Sequence, residues 1–181
     1  AKQQMVWLAS ELTALGLVSG TQITSMAIEL LTADNTYILN NFRIKYQWSS
    51  TVSALTTTPL STGWSVLFPS SSVTPQTGFN TFNFNAPITW NGTDNLLIEI
   101  NYSNNNAGTT GSTYNTATYD LGLAYTASTF YRVDNNAASA LNGYAMTMTN
   151  AYQGRNKVRF GVSAPTVQAP FTWSPGTGLN T

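Results

Sequence analysis

The chain has 181 residues, and its seven basic and seven acidic side chains cancel. Only 8% of the residues are charged, against about a quarter in an ordinary domain, so hydroxyl and amide groups must solvate the surface. Zero net charge argues against nucleic acid or an anionic membrane surface as a partner, and no apolar run is long enough for membrane insertion. The sequence has no cysteine or histidine, which excludes a disulfide, a serine–histidine triad and a zinc site of the usual type.

Hydrophobic periodicity predicts a chain of strands with one short N-terminal helix. Residues 10–17 favour that helix, with Ser10 as its cap and Gly16 as its end. Alternation with a period of two gives a strand one buried and one solvated face. It is found at 26–30, 42–48, 96–103 and 157–162, and shorter apolar groups mark strands at 82–84, 121–125, 131–133 and 144–148. Roughly eight to ten such strands predict an all-β fold, an antiparallel, jelly-roll-like β-sandwich.

Turn residues and prolines indicate where the strands and the domain end. Gly92 in the segment 91–94 tolerates a positive φ and favours a tight reversal. Residues 103–118 are polar and predict a long loop. Proline and glycine crowd the chain after position 164. We therefore predict a β-sandwich module over 1–164 and a linker, or the start of a following domain, over 165–181.

The acidic residues do not predict a catalytic pair. Alternation places Glu29 and Glu99 on the solvated faces of their strands, and Glu11 belongs to the start of the helix. Glycoside hydrolysis needs two convergent carboxyl groups, and no such pair is indicated. The sequence therefore favours a protein that is not an enzyme and has no catalytic residue.

Calcium is the ion that the sequence would suit best, although no motif specifies a metal site. Carboxylate and amide oxygens, which calcium prefers, adjoin at 34–35, 94–95 and 134–136. Their spacing is not that of an EF-hand, and the same residues are ordinary turn formers. No cofactor is predicted.

Aromatic side chains are the best candidates for ligand binding, because exposed rings stack on sugars and fill partner pockets. Trp64 follows a polar, threonine-rich stretch and is expected to be the most exposed tryptophan. Tyr114 and Tyr119 lie in or beside the long loop. The alternative for each of these aromatic side chains is to pack in the apolar core or against its edge. We expect this alternative for Trp48 and Trp90.

A basic group at Arg155, Lys157 and Arg159 is the remaining charged feature near the end of the module. Alternation places Lys157 and Arg159 on one outward face, where Arg43 and Lys45 would join them if the strands were neighbours. We interpret the group as solvation of a sheet face.

Several segments resemble modules of large secreted and cell-surface proteins of the Bacteroidota. They are QMVWLASEL at 4–12, FRIK at 42–45, GFNTFNF at 78–84, ITWNGTDNLLIE at 88–99 and the closing RNKVRF at 155–160. The tail FTWSPGTGL at 171–179 resembles the start of an immunoglobulin-like or PKD-like domain. The resemblance implies adhesin-like cargo of type IX secretion, outside the cell or on its surface.

Three functions follow as expectations. The first is a non-catalytic structural or adhesive module whose partners are protein neighbours in the same polypeptide or assembly. The second is the subunit of an extracellular filament or surface layer, a homopolymer formed by strand addition. The third is a carbohydrate-binding accessory domain for surface glycans that uses Trp64 or the tyrosines.

Overall fold

The computed structural model describes residues 1–34, 38–103, 116–132 and 143–165. Within these ranges the chain forms one short helix and twelve strands, and every strand pairing is antiparallel. In chain order they are β1 (Lys2–Trp7), α1 (Ala9–Ala14), β2 (Gln22–Thr32), β3 (Leu39–Ser49), β4 (Ser65–Val73), β5 (Gly78–Thr89), β6 (Asn95–Asn101), β7 (Thr116–Ala117), β8 (Tyr119–Leu121), β9 (Ser128–Tyr131), β10 (Asn150–Tyr152), β11 (Gly154–Asn156) and β12 (Val158–Ser163). The predicted all-β sandwich with one short helix is confirmed.

Two sheets form the layers of the sandwich. The large sheet has the strand order β10-β9-β1-β6-β3-β4, and the small sheet has the order β12-β2-β5, with β7 also paired to β2. A third pair, β11 with β8, belongs to neither of these sheets. β1 and β6 are adjacent at the centre of the large sheet, with Lys2 opposite Asn101 and Gln4 opposite Glu99.

The apolar core lies between the two sheets. Met5, Ile44 and Ile98 of the large sheet are fully buried, and Met26 and Phe82 meet them from the small sheet. Phe42 stacks on Phe82, with ring centroids 4.7 Å apart. The alternation that predicted strands near 26–30, 42–48 and 96–103 therefore identified the core face correctly.

The helix begins one residue earlier and ends three residues earlier than the predicted segment 10–17. Leu8, not Ser10, is the N-cap residue, and the backbone N–H of Leu8 donates to the Glu11 carboxylate at 2.7 Å. Gly16 follows the helix with φ +89°, which confirms its role as the terminating residue. No helix in the described ranges is long and apolar enough to cross a membrane.

Over the central strands β1 and β6, the outer face of the large sheet is not open to solvent, contrary to the expectation of one wet face. Val6 and Leu97 point outward and are buried beneath Leu55, with Trp64 packed beside them. Residues 143–148 continue this layer, and the Met148 N–H donates to the carbonyl of Thr57 at 2.7 Å. We call residues 50–64 and 143–148 the cover.

Irregular chain in the cover replaces one of the predicted strands. The apolar group at 144–148 was predicted as a strand and forms none, and the strand predicted at 121–125 ends at Leu121. Both segments still bury apolar side chains, because Met148 is 1% exposed and Tyr125 packs on the Val6 group. Val133, predicted to lie in a strand, falls outside the described residues.

The predicted turn at 91–94 is confirmed. Gly92 has φ +89°, and the side chain of Asn91 accepts hydrogen bonds from the N–H groups of Thr93 and Asp94. Trp90 is 1% exposed and donates its indole N–H to the carbonyl of Asp94 at 2.8 Å. The predicted boundary at 164–165 stays a prediction, since the described chain ends at Pro165.

Candidate functional site

A buried charged cluster occupies the outer face of the large sheet beneath the cover. Glu99 was expected on a solvated face, and this expectation is wrong because Glu99 is fully buried. Its side chain does point away from the apolar core, as alternation requires, but the cover closes over it. The other members of the cluster are Lys2, Gln4, Lys45, Asn101 and Tyr144.

The two oxygens of Glu99 take different partners. Oε1 accepts hydrogen bonds from Lys45 Nζ at 2.9 Å, Tyr144 OH at 3.3 Å and Asn101 Nδ2 at 3.4 Å. Oε2 accepts one from Gln4 Nε2 at 2.8 Å and lies 3.7 Å from Lys2 Nζ. One carboxylate thus lies between two amines, whose charges offset part of the cost of its desolvation.

Lys2 is the most enclosed cation of the cluster. Its side chain is fully buried, its Nζ donates to the carbonyl of Gly143 at 2.6 Å, and the amine lies 3.8 Å from the centre of the Tyr144 ring. Burial lowers the pKa of Lys2 to about 8, although the charge of Glu99 opposes the shift. Burial and the same carboxylate raise the pKa of Tyr144 well above its ordinary value.

A second internal ion pair fixes the helix to the sandwich. Arg155 Nη2 lies 2.9 Å from Glu11 Oε1, and Nη1 donates to the carbonyl of Val6 at 2.7 Å. Tyr125 OH donates to Glu11 Oε2 at 2.5 Å. Burial acts to raise the pKa of Glu11, but the hydrogen bonds from Arg155 and Tyr125 outweigh it and lower that pKa below its usual value.

The basic group predicted near the end of the module forms only in part, because Lys157 and Arg159 are exposed as expected but Arg155 is not. Arg155 is 5% exposed and turned inward, whereas Lys157 pairs with Glu29 at 3.0 Å. Arg159 lies over the ring of Phe79 at 3.8 Å. Arg43 and Lys45 cannot join Lys157 and Arg159, because β3 and β12 belong to different sheets.

Trp64, the tryptophan expected to be most exposed, is half-buried. It packs against the Val6 and Leu97 group and donates its indole N–H to the carbonyl of Leu60 at 2.9 Å. Trp64 therefore attaches the cover to the outer face of the large sheet. Tyr114 lies outside the described residues.

Tyr119, the third predicted ligand contact, forms an exposed aromatic surface with a residue that the sequence pattern did not single out. Tyr119 is 46% exposed, Tyr152 is 47% exposed and Leu121 is 79% exposed. β8 pairs with β11, and the Leu123 N–H donates to the carbonyl of Gln153, so the chain next to Tyr152 runs beside β8. Burial and the neighbouring Tyr152 raise the pKa of Tyr119. We call Tyr119, Leu121 and Tyr152 the tyrosine surface.

A glycine permits the close approach of β11 to β8. Gly154 is opposite Leu121, and a Cβ at this position would lie 2.7 Å from the carbonyl oxygen of Asp120. Only glycine permits so close an approach. No periodic signal marks Tyr152 in the sequence, because β10 and β11 are three residues long and separated by a bend.

Calcium stays an untested prediction. Within the described ranges, no three acidic side chains converge in a way that would hold a metal ion. Asn95, one of the residues considered, uses its side chain internally: Oδ1 accepts from the Ala9 N–H at 2.7 Å, and Nδ2 donates to the carbonyl of Val52 at 3.0 Å. Asn35 and the segment 134–136 lie outside the described residues.

No protein-family model, curated protein or solved structure matches this chain. The resemblance to surface-protein modules of the Bacteroidota therefore stays a prediction from the sequence segments that carry it.

Proposed function

We propose that this chain is a non-catalytic, extracellular structural and adhesive module of a bacterial surface protein, and that it makes contact through the tyrosine surface. The observation that carries the proposal is the exposure of Tyr119 and Leu121 on β8 together with Tyr152, the last residue of β10 and a neighbour of Tyr119. The extracellular assignment rests on the resemblance and on the uncharged composition.

Internal use of charge supports a module with a neutral exterior. Among the described residues, three largely buried ion pairs take up Lys2, Lys45, Arg155, Glu11 and Glu99, which are five of the fourteen charged side chains (seven basic plus seven acidic). A surface with few charges opposes close contact with a partner less, because fewer ions must be desolvated.

The tyrosine surface suits a polar, uncharged partner such as a glycan or a neighbouring protein. A tyrosine offers a flat apolar ring and one hydroxyl group at little conformational cost, so it contributes strongly to contacts of both kinds. Carbohydrate binding is the second candidate function, and the proximity of Tyr119 to Tyr152 is the observation that favours it.

Retention on an array tests this proposal. The array would carry polysaccharides and, in separate spots, immobilised copies of the chain. We expect wild-type protein to be retained and the double variant Tyr119→Ala/Tyr152→Ala to lose at least about tenfold in apparent affinity.

The double variant Leu15→Ala/Leu31→Ala is the matched control, because both leucines are more than half exposed and lie outside the tyrosine surface. It should bind as the wild type does. Equal retention of wild type and the tyrosine variant, or no retention of wild type on any spot, would contradict the adhesive role.

A further inference from the structure

An amine, a carboxamide and a carboxylate lie on the outer face of the adjacent strands β1 and β6, enclosed beneath the cover. Lys2 and Asn101 are directly opposite in the register of the two strands, so their Cβ atoms are about 5 Å apart. Lys2 and Glu99 are fully buried, and Asn101 is 2% exposed. Glu99 has one oxygen facing each partner, since Lys2 Nζ lies 3.7 Å from Oε2 and Asn101 Nδ2 lies 3.4 Å from Oε1.

These groups have the chemical roles needed for amide exchange. A lysine that is desolvated and lies next to a second cation loses its proton more readily, which makes its amine a nucleophile. Lys2 meets both conditions, because it is buried and Lys45 lowers its proton affinity. A carboxylate within reach of both the amine and the departing nitrogen can carry the proton between them.

We propose that Lys2 and Asn101 form an intramolecular amide cross-link, with Glu99 as the residue that transfers the proton. The Nζ of neutral Lys2 attacks Cγ of Asn101 and forms a C–N bond. Glu99 Oε2 accepts a proton from the attacking amine. The bond between Cγ and Nδ2 of Asn101 then breaks, and the proton returned from the carboxyl group leaves with Nδ2 as ammonia. The step needs no oxidant or other reactant.

The geometry favours Lys2 over Lys45 as the nucleophile. Lys45 Nζ is held at 2.9 Å by Glu99 Oε1 in an ion pair, and Lys45 lies opposite Glu99, not Asn101, in the register. Lys2 is directly opposite Asn101, and its separation from the carboxylate is longer. Two reacting groups that one folded chain holds next to each other react faster than the same groups free in solution, by many orders of magnitude where the orientation is right.

A cross-link at this position would tie the first strand of the module to its neighbour covalently. β1 forms hydrogen bonds to β6 on one side and β9 on the other, and a pull on the N-terminus would otherwise open both ladders. Such a bond suits a module that transmits force, but its existence does not depend on the proposed adhesive function.

Intact-mass spectrometry of the full 181-residue chain, after denaturation, tests the cross-link. We expect a mass lower than that of the sequence by one ammonia. Peptide mapping should recover a branched peptide that joins Lys2 to Asn101, with no tryptic cleavage after Lys2. A chain with the full sequence mass, including after prolonged incubation at pH 9, would overturn the proposal.

Variants separate this reaction from other losses of ammonia, such as cyclisation of an asparagine. Lys2→Arg and Glu99→Gln should restore the full mass, and Asn101→Asp should lose one water in place of ammonia. Lys157→Arg is the matched control, because Lys157 pairs with Glu29 outside this cluster, and it should still lose ammonia. Loss of ammonia that persists in Lys2→Arg, or that disappears only in Lys45→Arg, would contradict the assignment. Where a variant does not fold, the wild-type peptide map decides the outcome.

Discussion

At the scale of single residues, the sandwich depends on charges that water does not reach. Removing one partner of a buried ion pair leaves the other charge desolvated without compensation, which is costly. Glu99 has two such partners, Lys2 and Lys45, and is fully buried. Glu29 is the natural comparison, since its partner Lys157 has a side chain that is 48% exposed.

In a chain whose Lys2 amine is not cross-linked, replacing Glu99 by alanine should lower the free energy of unfolding by about 3–5 kcal/mol, because both lysines lose their counter-ion in a buried site. Glu29→Ala should cost less than about 1 kcal/mol, as exposed pairs do. Urea denaturation of both variants measures the difference. Similar losses in the two variants would show that Glu99 is hydrated in solution.

The lowered pKa of Glu11 predicts that the free energy of unfolding decreases at acid pH. Burial raises its pKa, but the bonds from Arg155 and Tyr125 lower it below the unfolded value of 4.5. The stabilising contribution of Glu11 is therefore present above pH 4.5 and is lost as the pH falls below it. We expect Glu11→Gln to cost about 2 kcal/mol near pH 7 and progressively less below pH 4.5.

Urea denaturation of wild type and Glu11→Gln from pH 3 to pH 7 tests this prediction, with Glu29→Gln as the control that should differ little at any pH. A cost of Glu11→Gln that stays constant across the range would show that the pKa of Glu11 does not change on folding.

The sequence could place these ionisable residues on a face but could not show their burial. Alternation correctly predicted that the Glu99 side chain points away from the core. What buries it is irregular chain at 50–64 and 143–148, and irregular chain has no period to read. Arg155 was misplaced for a related reason, because its partners Glu11 and Tyr125 are distant in sequence.

At the scale of elements, a bulge in β3 depends on one asparagine. Asn41 has φ +54°, the only positive value at a non-glycine residue in the described ranges, and the pairing of β3 with β4 shifts register between Leu39 and Phe42. Asparagine tolerates this conformation better than other residues with side chains. Its Nδ2 also donates to the carbonyl of Ser103 at 3.0 Å.

Asn41→Ala should therefore lower the free energy of unfolding by about 2 kcal/mol, from backbone strain together with the lost hydrogen bond. Asn41→Gly loses the same bond without the strain and should be the more stable variant. Thermal unfolding compares them, and an alanine variant at least as stable as the glycine variant would show that the bulge does not impose a positive φ.

Long strands were predictable and short ones were not. β3 and β6 have clear alternation because one face contacts the apolar core along most of their length. β8, β10 and β11 have three residues each, too few to show a period. The tyrosine surface is built from these short strands, so the sequence could indicate Tyr119, next to the predicted loop, but not Tyr152.

At the scale of the whole molecule, the described chain packs as far as Pro165. A Cβ added at Gly20 would lie 3.1 Å from Pro165 Cβ, so this proline rests against the turn before β2. We predict that a chain ending at residue 165 has a free energy of unfolding within about 0.5 kcal/mol of the full chain. A larger loss on calorimetry would mean that residues 166–181 belong to the module.

The central strands of the large sheet are covered on both faces, by the apolar core on one side and by the cover on the other. Amide hydrogen exchange followed by mass spectrometry tests this arrangement. We predict that β1 and β6 exchange only through global unfolding, far more slowly than the edge strand β4. Exchange of β6 as fast as that of β4 would contradict this arrangement, because it would show that water reaches the central strands without unfolding the molecule.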